Sequence, residues 1–77
     1  MPRESPYYRE ILRDLLEYFG GQQSINAKEY AAYLGMDAER TRNLIRAGKL
    51  PGKAFGSTFV IPVRSIAVFE ANAARGA

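Results

Sequence analysis

"LGMDAERTRNLIRAGKLPG", residues 34–52, decides how the rest of this chain is read. A turn, Gly35-Met36-Asp37, leads into a run whose apolar and polar residues separate at helical spacing. Asp37 is the expected N-cap. Counting about 100° per residue from it, Ala38, Thr41, Leu44 and Ile45 gather on one side. Glu39, Arg42, Asn43 and Arg46 gather on the other, with Arg40 on the flank, and Gly48 closes the helix. The outer face is long, basic and amide-bearing.

Upstream, "INAKEYAAYLG" at 25–35 carries Asn26 with Glu29 three residues on, the pattern of a capping box. Ala27, Tyr30, Ala31 and Leu34 fall on one face, and the alanines let another helix come close. Gly35 follows as a C-cap, where a positive φ costs glycine little. Helix, tight turn and second helix make a helix-turn-helix layout. Before it, "SPYYREILRDLLEYFGG" at 5–21 opens with Ser5 as N-cap and Pro6 at the first helical position, and stops at Gly20-Gly21. Tyr8, Ile11, Leu12, Leu15, Leu16 and Phe19 recur at helical spacing. That stripe fits a core face, or a seam for pairing with a second copy. "QQS" at 22–24 reads as a short linker.

Downstream the period changes. Lys53–Phe55 and residues 58–61 are β-prone runs separated by Gly56-Ser57, a hairpin turn. Pro62 ends the second run. "PVRSIAVFEANA" then returns to helical spacing, with Ile66, Phe69 and Ala73 on one face, before a tail expected to fray. Phe55, Phe59 and Ile61 read as packing between hairpin and core rather than base-stacking platforms. Tyr7, Tyr8 and Tyr18 read as amphipathic packing, and Tyr33 as half buried.

Seventy-seven residues allow one compact core. The chain has no cysteine and no histidine, which excludes disulfides, thiolate or imidazole metal sites, and Cys or His catalysis. No phosphate-cradling glycine loop and no paired carboxylates appear, so neither an enzyme nor a cofactor is expected. No apolar run approaches membrane-spanning length and no signal-peptide core is evident, so the expected location is the cytoplasm.

The net charge of +3 is unevenly spread. Residues 1–21 hold three cations against four carboxylates; the remainder holds eight cations against four. Five of those eight, Arg40, Arg42, Arg46, Lys49 and Lys53, lie within residues 40–53. Such a patch on a small domain suits a polyanion, most often nucleic acid. Arginine offers a bidentate fork to guanine and asparagine does the same for adenine, so Arg42, Asn43 and Arg46 are candidate base readers. Glu39 can accept from a cytosine amine or orient Arg42. Lys28, Arg40, Lys49 and Lys53, with Ser57 and Thr58 at the hairpin tip, are candidate phosphate contacts. The plainer alternative is a solvated helix laced with pairs such as Glu39–Arg42.

Residues 24–71 resemble the excisionase-type, MerR-like winged helix-turn-helix proteins. The resemblance rests on Tyr33-Leu34-Gly35, Leu44-Ile45-Arg46, Gly48, Leu50-Pro51, Gly56 and Ile61-Pro62. It implies a mainly α fold with a small β-hairpin wing, residues 22–77 forming a DNA-binding domain behind an additional N-terminal helix over 1–21. It further implies double-stranded DNA as partner, with the second helix in the major groove and the wing against the backbone or minor groove. The expected role is that of an excisionase that binds and bends DNA to assist an integrase. A small MerR-like transcription regulator and a winged-helix protein-interaction module are the alternatives. Two departures matter. The wing has Ala54, Ser57, Thr58 and Val60 where cations are common, and Glu39 stands where a basic or neutral residue is usual. A lone recognition helix binds weakly, so cooperative binding on DNA, or self-association through the N-terminal helix, is expected as well.

Overall fold

Local chemistry sets the ends of nearly every element. The computed structural model describes residues 6–76, so the Ser5 cap lies outside it. Helix α1 (Pro6–Tyr18) ends in a pair of hydrogen bonds that wrap its last turn: Gly21 N–H donates to Leu16 O at 2.7 Å and Gly20 N–H to Glu17 O at 3.2 Å. Both glycines have positive φ. Helix α2 (Ala27–Leu34) carries the full capping box. Glu29 N–H donates to Asn26 Oδ1 at 2.7 Å, and Asn26 N–H donates back to Glu29 Oε1 at 3.1 Å. That backbone donor, with the Gln22 amide beside it, holds the Glu29 carboxyl below its ordinary range. Gly35 caps the other end at φ 75.

Helix α3 (Ala38–Arg46) starts as its sequence predicts, with Arg40 N–H donating to Asp37 Oδ1 at 2.7 Å. Its end is a tight αL wrap in which Gly48 N–H donates to Ile45 O and Lys49 N–H to Leu44 O. Thr41 is the buried polar residue of the core, and its hydroxyl is satisfied by Asp37 O at 3.0 Å.

The hairpin is β2 (Lys53–Phe55) paired antiparallel with β3 (Thr58–Pro62), joined by the two residues Gly56-Ser57. A strand absent from the sequence reading completes the sheet. Ser24–Ile25, β1, pairs antiparallel with β3 on its other edge, Ser24 opposite Pro62 and Ile25 opposite Ile61, so the order is β1-β3-β2. The expected linker is therefore partly a strand. Val63 N–H donating to Gln23 O at 2.9 Å extends the pairing.

Helix α4 (Val63–Gly76) begins directly after Pro62 and continues helically into the segment expected to fray. Its buried face is Val63, Ile66, Ala67 and Ala71, rotated from the Ile66–Phe69–Ala73 face read from the sequence. Phe69 is exposed. The rotation follows from α1, which packs against α4 and sets which side is covered.

The stripe on α1 is a core face. Leu15 and Phe19 join one buried cluster with Ile25, Tyr30, Ile45, Phe59, Ile61 and Ile66, and Tyr8, Ile11, Leu12 and Leu16 pack against it. The Phe19 and Tyr18 rings meet Tyr33 at 5.5 and 5.3 Å between centroids, tying α1 to α2. Tyr33 is half-buried, as its sequence context predicts, and donates its hydroxyl to Glu70 Oε2 at 2.6 Å, tying α2 to α4. No helix among the described residues is long and apolar enough to cross a membrane.

Candidate nucleic-acid interface

Two residues anchor α3 to the core, Thr41 and Ile45, with Ala38 and Leu44 half-buried beside them. Everything else on the helix faces outward. Glu39, Arg40, Asn43 and Arg46 are exposed, and Arg42 is half-buried along its stem. Lys49 follows in the turn, and Lys53 opens β2; both are exposed. Lys28 is exposed on α2, a separate element from α3 and the hairpin. Ser57 lies in the hairpin turn and Thr58 opens β3, both exposed.

Within this set the structure makes one specific grouping. Arg46 Nη1 donates to Asn43 Oδ1 at 3.2 Å. The same guanidinium lies 5.0 Å from the centroid of the Phe59 ring. Phe59 is buried on β3, so Arg46 bridges the end of α3 and the hairpin through a cation–π contact. Spacing alone suggested a Glu39–Arg42 pair; among the described residues the side-chain bond on this face is Arg46 to Asn43. An arginine ordered in this way has its planar fork held ready, and an asparagine that accepts through Oδ1 keeps its amide N–H groups for a ligand.

The hairpin is held close to α3. Gly52, at φ +134, lies where a Cβ would come 2.9 Å from Ile61 Cγ1 and 3.4 Å from Ile45 Cγ2. Ile45 belongs to α3 and Ile61 to β3, so this glycine is where helix, connection and strand converge.

Charge completes the picture. From Arg40 to Phe69 the chain contains no Asp or Glu, while Arg40, Arg42, Arg46, Lys49, Lys53 and Arg64 lie within that span. The acidic members near α3, Asp37 and Glu39, sit at its N-terminal end, and Asp37 is occupied as the cap. The stretch running from the middle of α3 into β2 thus carries cations and no carboxylate, and its donors are guanidinium, ammonium, amide and hydroxyl groups. Such a set holds phosphate oxygens and forks onto base edges. Among the described residues no cluster of three His, Cys, Asp or Glu side chains is placed to hold a metal.

One expected hairpin contact fails. Phe59 and Ile61 pack into the core, but Phe55 is 61% exposed. In the register of the hairpin Phe55 faces Thr58, whereas Phe59 faces Ala54, so Phe55 and Phe59 stand on opposite faces. A groove of about 690 Å³ lies along α1 between Tyr8, Leu12, Leu16 and Arg64, and shares no residue with α3 or the hairpin. No family model, no curated protein and no solved structure matches this chain.

Proposed function

We propose that this chain is a winged helix-turn-helix protein that binds double-stranded DNA. In this reading α2 and α3 form the helix-turn-helix, α3 enters the major groove, and the β2–β3 hairpin is the wing. The observation that carries it is the division of α3: a narrow apolar anchor inward, and an outward face whose Arg46–Asn43 pair adjoins a wing free of carboxylates. Arg42, Asn43 and Arg46 read bases, with Glu39 at the edge of the reading surface. Arg40, Lys28, Lys49 and Lys53, with the Ser57 and Thr58 hydroxyls, hold phosphates. The resemblance over residues 24–71 extends this to an excisionase that bends DNA beside an integrase, with a MerR-like regulator as the other role for the same surface.

The test is fluorescence anisotropy on a mixed-sequence duplex across a salt series, with an Arg40/Arg42/Arg46-to-Ala variant alongside. Each phosphate neutralised contributes about −0.9 to the log–log slope, so losing the Arg40 phosphate contact flattens it by about 0.9, and losing Arg42 and Arg46 from the bases weakens binding further. Equal affinity and slope for the two proteins would show that α3 is not the element that meets DNA. Permuted-site gel mobility then reads bending; an unbent complex removes the excisionase role and leaves the regulator.

A further inference from the structure

We propose that Phe55 is a minor-groove wedge, an aromatic ring that enters a base step beside the site occupied by α3. The proposal rests on the DNA-binding reading above and adds to it a contact that is neither ionic nor a base-edge hydrogen bond. Isolated exposed apolar residues are ordinary on protein surfaces, so the exposure of Phe55 alone carries little. Its position carries more. Among the described residues the other large exposed apolar side chains, Tyr7, Tyr18, Val68 and Phe69, all lie on α1 and α4. Phe55 is the one on the half of the molecule that holds the basic surface.

The hairpin register fixes its neighbours. Lys53 is two residues away on the same strand, so its side chain leaves the same face, and Thr58 sits directly opposite. Val60 across from Lys53 is half-buried. The ring therefore has an ammonium and a hydroxyl beside it, with no broad apolar field. A protein partner or a lipid surface is matched by a wide apolar patch; one ring flanked by cationic and hydroxyl groups is matched by stacked bases bordered by phosphates. The tip beyond it is slender, because Gly56 has no side chain and open space around it, and Ser57 is small. A slender, acid-free tip suits the minor groove, only about 6 Å wide, and apolar side chains that part base steps there kink the duplex. The wing is not loose: Gly52 seats it against Ile45 and Ile61, and Arg46 lies over Phe59. The approach of Phe55 is thereby set by the docking of α3.

The chain contains no tryptophan, so Phe55→Trp places a single reporter at the tip. Anisotropy of labelled mixed-sequence duplex establishes saturation while tryptophan emission is read on the same sample. The expected result is quenched emission and loss of iodide accessibility in the complex. Phe55→Ala should bind about tenfold more weakly with the salt slope unchanged, because stacking rather than ion release is lost. Phe55 is exposed, so circular dichroism should show both variants folded. A saturated complex with unchanged emission and iodide access overturns the wedge and leaves the DNA-binding reading standing. Absence of any complex at low salt, for wild type and variants alike, overturns both.

Discussion

Replacing Gly52 by alanine tests whether α3 and the hairpin form one rigid surface. At φ +134 an L-residue is strained, at about 1–3 kcal/mol. The new Cβ also falls 2.9 Å from Ile61 Cγ1, with Ile45 atoms at 3.4 and 3.5 Å. Ile61 is fully buried and Ile45 nearly so, so neither can retreat toward solvent without disturbing close-packed neighbours. Overpacking of this kind costs about 1–3 kcal/mol. Against these stands the reduced freedom of the unfolded chain, about 0.4–1 kcal/mol in favour of alanine. At the middle of these ranges the net loss is about 3 kcal/mol, a large share of the stability of a domain this small.

Gly56 is the internal control. Its φ is +63, but nothing lies within 4 Å of its Cβ position, so alanine there meets backbone strain alone, partly offset by the same entropy. Thermal unfolding followed by circular dichroism should show Gly52→Ala melting about 12–24 °C below wild type, at about 4–8 °C per kcal/mol for a domain of this size. Gly56→Ala should fall by only a few degrees. Equal losses at the two glycines would refute the claim that steric convergence, rather than the left-handed backbone, makes Gly52 necessary.

The two buried-side tyrosines of α2 should respond oppositely to loss of their hydroxyls. Tyr33→Phe leaves Glu70 without its 2.6 Å donor and should cost about 1 kcal/mol in urea unfolding. Tyr30→Phe removes a buried hydroxyl that has no partner and should be neutral or stabilising; a loss matching that of Tyr33→Phe would contradict the assignment. Alkali should destabilise the fold through the same residues. Burial, then the charge of Glu70, pushes Tyr30 from 10.0 up to about 12, and burial with the Glu70 hydrogen bond pushes Tyr33 upward too. Between pH 10 and 12 the unfolded chain thus gives up phenolic protons that the folded chain retains. Stability is whole below pH 10 and falls as pH rises through that window, and Tyr30→Phe should shallow the fall. Arg46→Lys keeps the charge but loses the fork and the planar contact with Phe59. In the anisotropy assay it should discriminate poorly between duplex sequences while retaining most of the non-specific affinity; unchanged discrimination would remove Arg46 from the base readers.

What could be read from the chain was local, and what could not was long-range. Asn26, Glu29, Gly35, Asp37 and Gly48 act on backbone groups within a few residues, and each sits where its chemistry places it. The hairpin was legible for the same reason, since Gly56-Ser57 fixes its register alone. Strand β1 was not, because two residues are too few to show an alternation, and Ser24–Ile25 become a strand only when β3 offers an edge. The face of α4 was misjudged by an apolar count that credited Phe69, while Val63 and Ala67 take the covered side. Phe55 was grouped with Phe59 and Ile61 as packing between hairpin and core; hairpin alternation, applied from Phe59, sets it outward. At the candidate site the residue types were legible, but the pairing of Arg46 with Asn43 and its seat over Phe59 needed the hairpin in place.

The placement of α1 bears on how α3 is free to be so polar. A chain of this length has little apolar surface to spare, and an ordinary amphipathic helix would commit a broad stripe to the core. Helix α3 commits Thr41 and Ile45 fully and little else. The deficit is made up by α1, which lies along α4 and, with Phe19 just beyond its end, adds Leu15 and Phe19 to the same cluster that holds Ile45. The aromatic contacts of Phe19 and Tyr18 with Tyr33 pass that support to α2, on which α3 packs. Helix α1 thus stabilises, through the shared core, a surface that it does not itself form. Truncating it should unfold the domain rather than simply weaken binding, whereas changes on the outward face of α3 should alter binding and leave stability nearly intact. That separation is what the proposed recognition role asks of a helix held by two inward residues, with its other side chains facing outward.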